Sequence, residues 1–246
     1  MRKLPNRAGR TEQGPVVIEG FPGIGGISSI TSRYIIDFFN LKEMMPLELE
    51  SMPPVTIVRR SRPVPAVTVH GGMIPNGTKI AVIHSEIPVP EAGVRRIAAE
   101  ITEWAKSIGA SLILSPQGML VEREGDVPDE MSVYGTSSSE EGLNRLRSAG
   151  IEIMEEGVVS GIPGLLLREG AKRGMTAIAL LAEARNGQAD TRSAALMIRA
   201  VDMLCLKSEM DCGPVCSMAV EAETVRMNGI RTEMREKRLV PGTVYR

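Results

Sequence analysis

Aromatic residues are scarce in this sequence of 246 residues: one tryptophan, three tyrosines and three phenylalanines. Fifteen methionines stand beside them. Flexible thioethers fill irregular gaps in a core, and they leave room for an adaptable surface between subunits. Histidine is nearly absent, and His70 and His84 fall in separate β-rich segments, so each reads as a structural donor rather than a catalyst. There are three cysteines, Cys205, Cys212 and Cys216. An odd number without paired spacing excludes a disulfide framework and points to reduced thiols in the cytoplasm. With no histidine nearby, the Cys212-x3-Cys216 spacing does not make a metal site. Charge of one sign is missing too: 29 basic residues face 30 acidic ones, for a net −1. That balance, with both signs interspersed, argues against a nucleic-acid or polyanion surface. No run of about 18 apolar residues is present, so no membrane span is expected. The basic start, Met1 to Arg7, lacks the apolar stretch of a signal peptide.

What is there is organised around residues 16–39. The apolar run Val16-Val17-Ile18-Glu19-Gly20 predicts a buried strand, and Phe21-Pro22-Gly23-Ile24-Gly25-Gly26 a tight turn. Ile27, Ile30, Tyr34, Ile35 and Phe38 recur at helical spacing. A second turn of similar chemistry, Gly161-Ile162-Pro163-Gly164-Leu165-Leu166, is expected between the strand Gly157–Ser160 and a helix over 165–172. The two turns are expected as neighbours at one end of a sheet.

Between them, residues 55–58, 66–69 and 79–84 are β-rich, with turn signals at Gly71-Gly72 and Asn76-Gly77, which predicts a β-meander. Residues 91–108 form a helix closed by Gly109 at its C′ position. Residues 111–114 form a buried strand ending at Ser115-Pro116-Gln117-Gly118, and 122–130 an exposed loop. Ser137, Ser138 and Ser139 offer caps to a short helix that ends near Gly150. A strand over 175–181 leads to Glu183, and Asp190 or Thr191 caps a helix through Leu206. Repeated strand–helix order predicts an α/β, mostly parallel sheet covered on both faces. Residues 1–14 read as a mobile arm, 15–211 as one α/β domain, and 212–246 as a C-terminal helix, over 215–238, with an extended tail.

Chemistry could sit at the glycine turns, where strand–turn–helix presents backbone N–H groups to a phosphate. Tight strand–helix packing explains the same glycines, and the Gly-Lys-Ser/Thr of a P-loop is missing. A possible ligand pocket therefore comprises Gly20, Phe21, Pro22, Gly23, Gly25, Gly161, Pro163, Gly164 and Glu183. Glu183 at a strand's carboxyl end could serve as a general base, with Asp190 nearby. No second catalytic partner joins it, and Ser28, Ser29, Ser115 and Ser160 lack a nucleophile elbow. We expect no catalytic set, no metal and no cofactor. The last three residues, Val244, Tyr245 and Arg246, offer an apolar side chain, a phenol and a carboxylate suited to capture in a groove with a basic floor.

In combination, Gly20-Phe21-Pro22-Gly23-Ile24-Gly25, Trp104-Ala105 with Gly109-Ala110, Gly161 to Leu166, and Leu181-Ala182-Glu183-Ala184 with Ser193-Ala194-Ala195 resemble the proteasome-assembly-chaperone family. The resemblance runs from about Val16 to Asp211. It implies a three-layer αβα fold similar to nucleoside phosphorylases, no established catalysis, and a homo-oligomer, trimer to pentamer. It also implies core proteasome α-subunits as partners. Val244, Tyr245 and Arg246 match the family's hydrophobic–Tyr–any tail, which enters pockets between α-subunits where a lysine meets the carboxylate. Two stretches depart from the family: Gly187-Gln188-Ala189-Asp190-Thr191 where a Pro-Asp-Pro-like run is common, and Ser115-Pro116-Gln117-Gly118 in place of a Gly-Gly turn. The rival expectation is a small-molecule enzyme of nucleoside or phosphate chemistry built on the glycine turns and Glu183.

Overall fold

The computed structural model describes residues 14–47, 49, 51–120, 132–184 and 190–211. The arm over 1–13, the loop over 122–130, Cys212, Cys216, the helix expected over 215–238 and the tail 244–246 lie outside the described residues.

Four parallel strands make the centre of an eight-stranded sheet. β1 (Val16–Gly20) lies between β6 (Lys79–Ser85) and β7 (Leu112–Leu120), and β10 (Ala177–Ala184) follows on the far side of β7. The sheet is extended at both sides, by antiparallel pairing except at its last strand, which runs parallel to its neighbour. β5 (Val67–Met73) and β2 (Lys42–Pro46) continue it beyond β6, while β8 (Val133–Ser137) and the short β9 (Glu152–Ile153) continue it beyond β10. Helices cover both faces, as in the expected three-layer α/β fold.

The sides follow from strand alternation. Ile18, Val82, Leu112, Leu114, Ile178 and Leu180 face α1 (Ile27–Phe38) and α5 (Thr191–Val201). Val17, Ile83 and Ile113 face α2 (Val94–Ser107) and α4 (Gly161–Arg173). Strands buried on both faces need apolar residues at consecutive positions, which is why β1 reads as an unbroken run. On α2, Ile97, Ala98, Ile101 and Ala105 are fully buried, and Gly109 ends the helix at φ +65°. Ser139 caps α3 (Glu140–Ser148) by accepting from the Gly142 N–H at 3.2 Å, and Asp190 caps α5 by accepting from Ser193 N at 3.0 Å.

Several expectations need correction. Gly71 and Gly72 lie inside β5, and the hairpin turns instead at Asn76-Gly77, where Ile74 N donates to Thr78 O. Residues 57–58 belong to a separate hairpin, β3 (Ile57–Arg59) with β4 (Arg62–Val64). No strand covers 157–160: Val158 is 92% exposed, and α4 begins at Gly161 rather than 165. Pro163 is tolerated there because first-turn N–H groups have no partner within the helix. Phe38 is half-exposed at the end of α1.

β7 does not stop at Leu114 but runs to Leu120. Its pairing with β1 ends at Leu114, while pairing with β10 continues to Ala184. Ile113 N donates toward β10, so Pro116, three positions on, presents its nitrogen to the other side, where the ladder has already ended. Proline costs no hydrogen bond at that place.

Candidate functional site

All of the parallel strands end at one edge of the sheet, and α1, α2, α4 and α5 begin there. In open α/β sheets ligands gather at this carboxyl edge. The first glycine turn crosses it from β1 to α1, over the end of β7. A Cβ on Gly23 would stand 2.1 Å from Gln117 Oε1, and one on Gly118 only 2.3 Å from Ile24 O. A Cβ on Gly20 would meet Ser32 Oγ at 2.2 Å and Ile83 O at 2.9 Å. Gly25 and Gly26 adopt φ of +64° and +63°. Asp190 N donates to Gly25 O at 3.0 Å, so the turn is also stapled to the start of α5. Close packing thus accounts for Gly20, Gly23 and Gly118, and left-handed backbone for Gly25 and Gly26.

Beneath the turn lies a fully buried carboxylate, Glu19. Its Oε1 accepts from Phe21 N at 2.7 Å and its Oε2 from Ser115 Oγ at 2.5 Å. Ser28 Oγ of α1 donates to the Glu19 main-chain carbonyl at 3.3 Å. Burial pushes the acid up from the ordinary 4.5 to about 7, against the pull of those hydrogen bonds. The arrangement ties the strand end, the turn and β7 together through one side chain. Sequence reasoning missed it, although a lone carboxylate inside an apolar strand is the signal that could have revealed it.

The second set of glycines lies at the start of α4. Because α4 leads into the amino end of β10, its own first turn stands at the carboxyl edge, the same edge as the first turn. A Cβ on Gly164 would come within 2.0 Å of Val159 O. Gly161 takes φ +73°, and Pro163 is buried. Ile162 and Leu166 join the apolar layer that contains Phe21.

Glu183 lies within β10 rather than after it, and is almost fully buried. Its Oε2 accepts from Ser132 N at 3.3 Å, and its own N–H donates to Ser132 O at 3.0 Å. The carboxylate thereby clasps the chain where it enters β8. Ala184, on the opposite face, packs against Gly25. The structure therefore sets the Glu183 side chain and Gly25 on opposite sides of the sheet. His84 Nδ1 is bonded with Ser32 Oγ at 2.9 Å, and His70 Nε2 with Thr68 Oγ1 at 3.0 Å. Burial and the nearby Asp202 push the Cys205 thiol up to about 12. Among the described residues no three His, Cys, Asp or Glu side chains group to hold a metal, and no helix is long and apolar enough to cross a membrane.

The chain leaves the described domain at the opposite edge. After α5 a π-helical turn, Asp202–Leu206, brings it to the amino ends of the strands. There Asn76 Nδ2 donates to Leu206 O, and Tyr34 Oη donates to Asp211 O. Asp202 accepts from Ser208 N at 2.8 Å and Met210 N at 3.3 Å. The segment before residue 212 is thus fixed at four points.

Comparison with known proteins agrees with this architecture. A sequence model of the PAC2 family matches residues 17–225. An uncharacterised protein of Methanocaldococcus jannaschii is 27% identical over 192 residues, covering 78% of this chain and 76% of its own. The crystal structure of Pyrococcus furiosus PbaA, described as an archaeal homologue of proteasome-assembly chaperone, superposes with a TM-score of 0.76 at 26% identity. It covers 92% of this chain and 96% of its own. P. furiosus PbaB, described as an archaeal proteasome activator, shares the fold with a TM-score of 0.71 at 22% identity, over 95% and 96% of the two chains. With its sequence matched over most of its length and its three layers in common with these structures, the chain belongs to the PAC2 family, that of the proteasome assembly chaperones.

Proposed function

We propose that this protein docks on the α-ring of a core proteasome through Val244, Tyr245 and Arg246. The observation that carries the reading is the apolar–Tyr–any tripeptide that closes the sequence, in a chain of this family. Val244 fills an apolar notch, Tyr245 packs and hydrogen-bonds, and the Arg246 carboxylate pairs with a lysine of the α-ring. The similarity to PbaA and PbaB supports a proteasomal partner. A homo-oligomer of three to five copies presents several tails at once, so that weak individual contacts add up to firm binding.

We read the protein as non-enzymatic. Glu19 and Glu183 both accept from main-chain N–H groups, and Gly20, Gly23 and Gly164 leave no room for a Cβ against the protein atoms beside them. These are the features of a braced scaffold rather than of a cleft waiting for substrate. We place an N-terminal arm at 1–14, the α/β domain at 15–211 and the docking segment at 212–246. Co-precipitation of core-particle α-subunits with the full chain, and with a chain ending at Thr243, tests the proposal.

A further inference from the structure

The hairpin β3–β4 forms its own two-stranded sheet, apart from the main one. It rises from the carboxyl edge, where Ala66 O accepts from Glu86 N just before β5 pairs with the end of β6. This is the edge away from the one where the chain exits at Asp211. Every residue from Val58 to Pro63 is exposed. Arginines fill three of the four positions at the tip, Arg59, Arg60 and Arg62. No Asp or Glu occurs anywhere from 51 to 85, although the chain as a whole is balanced.

The local structure works against itself in two ways. Arg59 and Arg62 are directly paired across the hairpin, and like charges placed so repel. The two turn residues, Arg60 and Ser61, both take left-handed backbone, at φ +49° and +61°. A two-residue turn of this kind favours Asn-Gly, and neither residue present is suited to it. Strain of this sort is retained where the surroundings hold it, commonly at functional positions. The surroundings hold it here through Arg59, whose guanidinium pairs with the buried carboxylate of Glu86. Arg60 and Arg62 make no ion pair among the described residues. Beside them Val58 is 68% exposed, opposite Pro63.

We propose that this hairpin is a docking finger for an acidic protein segment. Arg59 is the anchor that fixes the finger to the domain. Arg60 and Arg62 present forked donors to the partner's carboxylates, and Val58 takes an apolar side chain between them. A protein is favoured over a nucleic acid because the three arginines sit at the tip of one short hairpin. The hairpin has no aromatic side chain on which bases could stack. The finger does not depend on the tail.

Fluorescence anisotropy of the full chain tests this with three labelled probes: a peptide alternating Glu and Leu, its Gln–Leu counterpart, and single-stranded DNA of equal charge. The acidic peptide is expected to bind with an affinity that falls as salt rises, and the Gln peptide is expected to bind at least tenfold more weakly. The double variant Arg60→Glu with Arg62→Glu should lose at least tenfold, and the neutral Arg60→Gln with Arg62→Gln should lose less. Val58→Ser should weaken the peptide without changing its salt dependence. Circular dichroism superimposable on wild type shows that these exposed variants fold. Failure of the acidic peptide to bind, equal binding by the charge-reversed variant, or DNA binding as tightly as the peptide would each overturn the proposal.

Discussion

The phenol of Tyr34 donates to the main-chain carbonyl of Asp211, a residue 177 positions later in the chain. Tyr34 belongs to the helix that follows the first glycine turn, so one helix connects both edges of the sheet. Its start rests on the turn above Glu19, and its later turns hold Asp211, the last described residue. Asp211 is therefore held on the side away from the glycines.

Tyr34→Phe keeps the buried ring and removes that hydrogen bond. The loss should cost about 1 kcal/mol of stability. Amide exchange at residues 206–211 should accelerate more than in the core of β1. Uniform acceleration throughout the domain would show that the tether is not local.

Gly20→Ala should be among the most destabilising single-methyl additions to the domain. The new Cβ meets the Ser32 side chain on one side and a main-chain carbonyl on the other, and overpacking of this kind costs about 1–3 kcal/mol or more. At Gly109 nothing lies within 4 Å, so alanine there costs only the left-handed backbone, about 1 kcal/mol. Urea denaturation of the two variants gives the comparison directly.

Glu19→Gln should make stability less dependent on pH. The folded acid titrates near 7 against an ordinary 4.5, so it holds its proton more tightly folded than unfolded. Its contribution is fully present below about 4.5 and is lost as the pH rises through about 7. Glutamine accepts from Phe21 N and donates to Ser115 Oγ without a charge. Thermal melts should therefore show the variant gaining on wild type at pH 8, by at most about 3 kcal/mol, with little gain at pH 5. Parallel melting curves at the two pH values would contradict the cause assigned to the shift.

Asp190→Ala removes the cap of α5 and should cost about 1 kcal/mol, with most of it restored by asparagine. Because Asp190 N also holds Gly25 O, and alanine keeps that N–H, the first turn should stay ordered. Amide exchange at residues 24–27 checks this.

Which of these features could be read from the residues follows from their physics. The first glycine turn was legible because only close approach or positive φ requires so many glycines. The central strands and the stripe of α2 were legible because burial on known faces imposes period. β2 and β8 were not, since short strands added at a sheet's margins draw their pairing from neighbours and carry little pattern. The full length of β7 was hidden by Pro116, whose harmlessness depends on where the β1 ladder stops. Val158 and Val159 misled because two adjacent valines resemble a strand, whatever their exposure. Of the candidate site, the two turns could be placed at one edge, but the separation of Glu183 from Gly25 is a matter of alternate facing within a strand that runs three residues past its expected end. Glu19 lay inside a run read as apolar, and its role became visible only through Phe21 and Ser115.

Binding of core-particle α-rings to the immobilised full chain, compared with a chain ending at Thr243, tests the central claim most directly. The account predicts firm binding by the full chain and its loss when Val244, Tyr245 and Arg246 are removed, with the melting temperature unchanged. Equal binding by the two chains, or none by either, would contradict it.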